Sequence, residues 1–174
     1  MDARLLITSL RVARSYRPAP LGDEAETRIL DAGRLTGSAR NRQPWRFYVV
    51  EGSARGPVAA AVFSPHHVAG AAFVVAIAIE PGGRLGDVDA GRAAQNMMLA
   101  AWNEGVGSCP NGVADHDALA AALGLEAQQR VPLVISFGVP DPRRDPAGRS
   151  PERWSAGARR LPLSQLVRRV GGSQ

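Results

Sequence analysis

Gly37-Ser38-Ala39-Arg40-Asn41-Arg42-Gln43-Pro44-Trp45-Arg46-Phe47 is a polar stretch that runs directly into the apolar Phe47-Tyr48-Val49-Val50. Its small residues let a flat ligand approach the backbone, and the amides of Asn41 and Gln43 offer donors and acceptors at a polar edge. Pro44 disfavours helix at Gln43 and stiffens the entry to a strand expected over Arg46 to Glu51. Taken alone the stretch is also a capped helix end, a turn and a strand. What flanks it decides between the two.

Upstream, Gly22 or Asp23 opens a helix with Glu24 and Glu26 in its first turn and an apolar stripe of Ala25, Ile29, Leu30 and Gly33, ending near Thr36-Gly37. Before it, Leu5, Leu6, Ile7, Leu10 and Val12 predict a helix over residues 4 to 13, stopped by Pro18 and Pro20. Arg11 and Arg14, three apart on that helix or its last turn, would point the same way and could grip one phosphate; a solvated basic face has the same spacing.

Downstream, Gly52 to Phe63 reads as an Ala-rich helix broken at Ser64-Pro65-His66-His67. The adjacent histidines have no third ligand at metal spacing, and no metal site is expected. Ala72 to Ile79 is apolar on both alternating faces, as in a central strand covered on both sides. A turn at Pro81-Gly82-Gly83-Arg84 leads to the longest helix, Val88 to Glu104. Its expected stripe is Val88, Gly91, Gln95, Met98 and Trp102, with Ala94, Leu99 and Ala101 beside it and small residues on another face (Ala90, Ala93, Ala100) left to pack a partner. Val106 to Val113 is a short extended piece, Asp117 to Leu123 a short helix, and Val131 to Val139 a second buried strand. Pro140 to Ser150 reads as a charged loop, and a last short helix follows the basic pair Arg159-Arg160. The order of elements gives an α+β fold, a mixed sheet flanked by helices, in one domain over residues 1–174.

Composition narrows the function. All 21 basic residues are arginines, scattered from Arg4 to Arg169, and the formal charge of +5 forms no basic arm; a nucleic-acid binder is disfavoured. No run of about 20 apolar residues is present to span a membrane, and no secretory signal opens the chain, so the expected place is the cytoplasm. The single cysteine, Cys109, excludes an internal disulfide and has no evident base beside it. Phosphate-loop, dinucleotide-fold and serine-hydrolase signatures are all missing.

Three pieces in this order resemble the nitroreductase family of FMN-dependent oxidoreductases. They are Arg11-Val12-Ala13-Arg14-Ser15-Tyr16, the loop Ser38 to Phe47 with its Asn and Gln-Pro-Trp, and the helix Asp89 to Ala101 ending in Gly105-Val106-Gly107-Ser108. The resemblance implies a three-layer fold with a mainly antiparallel sheet, in an intertwined homodimer with FMN at the interface. Arg11, Val12 and Arg14 would lie along the flavin tail, with Arg159 or Arg160 completing the phosphate grip. Ser38, Ala39 and Asn41 would meet the flavin from the partner chain, and Pro110, Asn111 and Gly112 match the segment whose backbone N–H groups face the flavin N5, Gln43 being structural. The implied chemistry is ping-pong: NAD(P)H delivers a hydride, and an electron-poor acceptor such as a nitroaromatic, a quinone or a flavin takes it up. No catalytic side chain is then required, because the cofactor carries the reaction.

Departures from the family pattern are specific. Leu10 and Val12 stand where many members have Arg and Ser, Gly37 where many have Pro, and a shifted register makes Arg17 a rival phosphate ligand. About seven residues separate Ile79 from Asp87, where larger members insert covering helices, which implies an open, shallow pocket. These departures also fit a flavin-free binding protein of the same fold, or a specialised relative that oxidises a bound metabolite.

Overall fold

Phe73-Val74-Val75-Ala76-Ile77-Ala78-Ile79 forms β2 (Phe73–Ile79), and every residue of it is buried. An apolar residue at each position suits only a strand covered on both faces. The computed structural model, which describes residues 1–81 and 85–171, bears this out. β2 lies between β1 (Trp45–Val49) and β4 (Arg130–Gly138), and β3 (Gly107–Gly112) pairs with the far side of β4, giving the order β1-β2-β4-β3. All three strand pairs are antiparallel. The parallel component is a single bridge, Val12 to Ser108.

Alternation along β2 divides the core. Phe73, Val75, Ile77 and Ile79 face one cluster with residues of α2 (Asp23–Arg34) and α5 (Gly86–Asn103), among them Ile29, Ala93 and Met97. Val74, Ala76 and Ala78 face a second cluster, with Val58 of α3 (Arg55–Ala60), Val68 of α4 (Pro65–Ala69) and Leu119 of α6 (His116–Leu123). The result is three layers, helices on each side of one sheet.

Two helices differ from expectation. On α5 the expected Met98, Trp102, Ala94 and Ala101 are buried, but Ala90 and Ala93, assigned to a partner, join the sheet-facing cluster too, whereas Val88 is 55% exposed and Gly91 and Gln95 are exposed. Alanines let the helix axis approach the sheet closely, and Met97 is buried in the same cluster; Trp102 is buried too, its Nε1 donating to Ser9 Oγ at 2.9 Å. The first helix, α1 (Ala3–Ser9), ends four residues short of the predicted limit, because Leu10 leaves helical geometry (φ −53°, ψ 126°). From there the chain is extended and uses its backbone elsewhere: Ala13 N donates to Ser108 O at 2.9 Å, and Arg17 N to Val139 O at 2.9 Å.

Two elements escaped the sequence reading: α4, placed where a break was expected, and α7 (Pro151–Gly157), which precedes the predicted last helix α8 (Leu163–Leu166). The turn expected at 81–84 lies largely outside the described residues. β2 and α5 are joined by residues 80–85 alone, too short for a covering helix. Among the described residues no helix is long and apolar enough to cross a membrane.

Candidate functional site

Where the extended segment after α1 meets β3, the chain forms a cleft of about 280 Å³. Val12 and Arg14 line it from the N-terminal segment; Phe63, Ser64 and His67 from the turn into α4; and Cys109, Pro110, Asn111 and Gly112 from β3. Five residues picked from the sequence thus come together: Val12, Arg14, Pro110, Asn111 and Gly112. No carboxylate is present in this lining, and Arg14 is exposed to it. At Gly112 an added Cβ would sit 3.2 Å from the exposed Phe63 ring, close enough to press it outward from the cleft rim.

Asn111 organises the floor. It is 4% exposed, and its Nδ2 faces three acceptors: Cys109 O at 2.9 Å, Val134 O at 3.2 Å and Ser136 Oγ at 3.2 Å. Its Oδ1 lies 3.1 Å from His67 Nδ1. From the other side the Tyr16 hydroxyl donates to Ser136 O at 3.0 Å and meets Ser136 Oγ at 3.0 Å. Burial drives the Tyr16 pKa far up, so the phenol stays protonated. Burial also lowers the His67 pKa, against the opposing hydrogen bond from Asn111 and with help from His66 and Arg14.

Cys109 is not as isolated as the sequence suggested: its Sγ is 3.6 Å from His67 Nδ1. Burial nevertheless raises the thiol pKa, Arg14 opposing, and the thiol contacts Pro110 O at 3.5 Å. With Nδ1 directed at Asn111, the pair is not set up to generate a thiolate.

Arg11 and Arg14 do not share a helix face. In extended backbone residues three apart point to opposite sides, and only Arg14 lines the cleft. Arg11 Nη1 donates to Thr8 O and Leu10 O, both at 2.8 Å, and Nη2 donates to Trp154 O at 3.0 Å. Its guanidinium stands 5.3 Å from the centre of the Trp154 ring, which Arg149 approaches at 5.1 Å. Burial lowers the Arg11 pKa first, followed by repulsion from Arg160 and Arg144. Arg160 and Arg144 are thus close enough to repel Arg11, and Arg11 keeps two N–H donors beyond the three already used. Trp154 went unnoticed in the sequence; its signal was the Ser150-Pro151 cap that starts α7. Arg17, the rival ligand, is paired with Asp141 at 3.4 Å.

Ser38, Ala39 and Asn41 stand apart from this cleft within one chain. They form a tight turn in which Ser38 Oγ accepts from Gln43 N at 2.8 Å and Gln43 Nε2 donates to Asn41 O at 3.3 Å. Arg40, Asn41 and Gln43 all have φ near +50°. Three non-glycine residues in the left-handed region within four positions are costly, and such strain gathers at functional sites. Arg159 also has positive φ (51°). No metal-holding group of acidic, histidine or cysteine side chains occurs among the described residues.

The cleft thus carries one exposed arginine, no carboxylate and no activated nucleophile, on a three-layer α+β frame. The sequence matches the description "Nitroreductase family" over residues 7–81 and 62–139, and the chain belongs to that family of oxidoreductases. An Archaeoglobus fulgidus protein named as a candidate NADH dehydrogenase/NAD(P)H nitroreductase is 31% identical over 150 residues, 80% of this chain and 86% of its own. A Desulfovibrio desulfuricans nitroreductase-type structure, solved in complex with FMN, superposes with a TM-score of 0.80 at 27% identity, covering 99% of each chain. The NADPH:FMN oxidoreductase of Vibrio harveyi, complexed with NAD+, has the same fold at a TM-score of 0.79 and 24% identity, over 97% of this chain and 77% of its own.

Proposed function

We propose that this chain is an FMN-dependent oxidoreductase that works as a homodimer and passes a hydride from NAD(P)H to an electron-poor acceptor: a nitroaromatic, a quinone or a flavin. The observation that carries the reading is a carboxylate-free cleft lined by Arg14, with Arg11 on the same extended segment keeping two N–H donors unused. FMN has the matching chemistry, a planar ring and a phosphate tail. Arg11 with Arg159 or Arg160 would take the phosphate, Val12 and Arg14 would lie along the middle, and Pro110, Asn111 and Gly112 would back the ring. Ser38, Ala39 and Asn41 would come from the second chain, because in their own chain they do not line the cleft.

When bound, FMN supplies reversible two-electron transfer. This chain's own residues then bind, orient and balance charge: arginines stabilise developing negative charge, an electrostatic contribution of a few kcal/mol. The donor enters, leaves oxidised, and the acceptor follows in the same opening, a ping-pong order that one shallow cleft accommodates. The 80–85 connection is too short to supply the covering helices of larger relatives, which would suit larger acceptors.

Purified protein should be yellow, release FMN stoichiometric with the chain, and be bleached by NADH or NADPH without oxygen. Protein that is colourless and leaves added FMN fluorescence unquenched would refute the reading. That result would favour the flavin-free alternative, for which the missing hydroxyl at Val12 speaks.

A further inference from the structure

His67 belongs to no part of the mechanism above, yet its surroundings fix its chemistry. The Asn111 amide cannot be reversed, because its Nδ2 already faces Cys109 O, Val134 O and Ser136 Oγ, and an oxygen placed there would meet two carbonyls. Oδ1 is therefore the atom facing His67, and His67 Nδ1 must be the donor across that 3.1 Å contact. The second neighbour of Nδ1 agrees: Cys109 Sγ, whose proton is directed to Pro110 O, is an acceptor at 3.6 Å. The neutral ring is thus the Nδ1–H tautomer. Its Nε2 carries a lone pair, makes no hydrogen bond among the described residues, and sits on a ring that lines the cleft.

We propose that Nε2 of neutral His67 is a specificity-determining hydrogen-bond acceptor of the cleft, selecting a bound group that presents an N–H or O–H donor to it. The inference rests on the FMN reading, since a flavin carries both donor types, the ring imide and the ribityl hydroxyls. Arg14, the charged side chain of the lining, offers donors only, so an imidazole acceptor held in one orientation by Asn111 adds discrimination that the arginine cannot supply. Protonation at Nε2 abolishes the acceptor. The charged or titratable groups facing the ring are His66 on its own helix, Arg14 from the N-terminal segment and Cys109 from β3; Tyr16 reaches the network through Ser136 of β4. Phe63 and Ser64, from the preceding turn, are uncharged.

The test is FMN affinity of the apoprotein, read by fluorescence quenching at pH 8 and pH 5.5 for wild type, His67→Gln and His67→Phe. The FMN phosphate titrates equally in all three, so the comparison is between proteins. At pH 8 His67→Phe should bind roughly threefold to tenfold more weakly, the worth of one net hydrogen bond. His67→Gln, which keeps an acceptor that cannot be protonated, should bind at pH 8 like wild type and lose the part of the pH dependence that wild type owes to this ring. FMN methylated at the imide distinguishes the donors: indifference of wild type to the methyl group assigns the contact to a ribityl hydroxyl. An independent readout is the imidazole ¹⁵N spectrum of wild type, in which Nδ1 should be protonated and the Nε2 resonance should move on adding FMN. Binding of FMN with an unmoved Nε2, or a Phe variant equal to wild type at pH 8, overturns the inference alone. Wild type that binds no FMN overturns the proposed function and the inference with it.

Discussion

Arg11 fastens the protein and, on the reading above, the cofactor through the same guanidinium. Three of its donors hold the end of α1 and α7 together, which leaves one bidentate pair for an oxyanion. Hydrogen bonds to charged groups contribute about 1.5–3 kcal/mol, so Arg11→Ala should weaken FMN binding on the order of tenfold to a hundredfold while changing riboflavin binding little, since riboflavin has no phosphate. Titrating both flavins against one variant separates loss of the phosphate grip from general loosening; equal losses would place Arg11 outside the phosphate site. His67 gives a second prediction at this scale, about stability. Its folded pKa is depressed below the ordinary value of 6.5, so below that pH the unfolded chain takes up a proton that the folded chain refuses. The stabilisation is present above pH 6.5 and declines as pH falls toward the folded pKa. In thermal melts His67→Gln should therefore lose less stability than wild type between pH 7 and pH 5, whatever its stability at pH 7.

At the scale of elements, the extended segment 11–17 is the part that must be held in place for the cleft to exist. Tyr16 anchors it, with its hydroxyl on Ser136 and its ring lying over Gly138, where an added Cβ would come within 2.8 Å of Cδ1 and 2.9 Å of Cγ. Gly138→Ala cannot be relieved by a flexible side-chain tip, because the ring is tethered at both ends. Overpacking of this kind costs roughly 1–3 kcal/mol, and displacement of Tyr16 should carry Val12 and Arg14 with it. Urea unfolding should show the loss of stability, and FMN affinity should fall in the same variant. Such contacts explain what could be read beforehand. Periodicity identified β2, β4, α2 and α5, because burial on one or both faces writes itself into the sequence every two or three to four residues. It failed on α1, where Leu10 and Val12 continue an apolar pattern although Val12 pairs with Ser108, a partner far along the chain. On α5 it found the helix and the buried Met98 and Trp102 but misplaced Val88, because Ala90 and Ala93, which approach the sheet, carry too little hydrophobicity to outvote it. The site was legible wherever backbone and small residues define it, at Pro110 to Gly112. His67 was passed over because the residue that fixes its tautomer, Asn111, is brought to it only by the fold.

For the whole molecule, one chain leaves two things unfinished. Ser38, Ala39 and Asn41 sit in a strained turn that does not line the cleft of its own chain, and the C-terminal segment exposes Leu163 (76%), Leu166 (60%) and Val167 (51%) around the four-residue helix α8. A helix that short has no stability by itself, and apolar side chains clustered on it need cover. Phe63, 76% exposed at the rim of the cleft, needs cover as well. A second copy of the chain supplies both deficits at once if it lays its turn against the cleft and receives the tail in exchange. Obligate dimers of this kind bury roughly 2,000–5,000 Å² and are mostly apolar. Light scattering should give twice the chain mass at micromolar concentration, with no monomer appearing on addition of salt, because the contacts are not ionic. The double substitution Leu163→Asp, Leu166→Asp removes apolar cover without touching any residue that lines the cleft. It should release monomer and weaken FMN binding, with an affinity that recovers as protein concentration rises, because each cofactor site would then need a partner before it can close. A monomeric variant that binds FMN as tightly as the parent would show instead that each chain completes its own site.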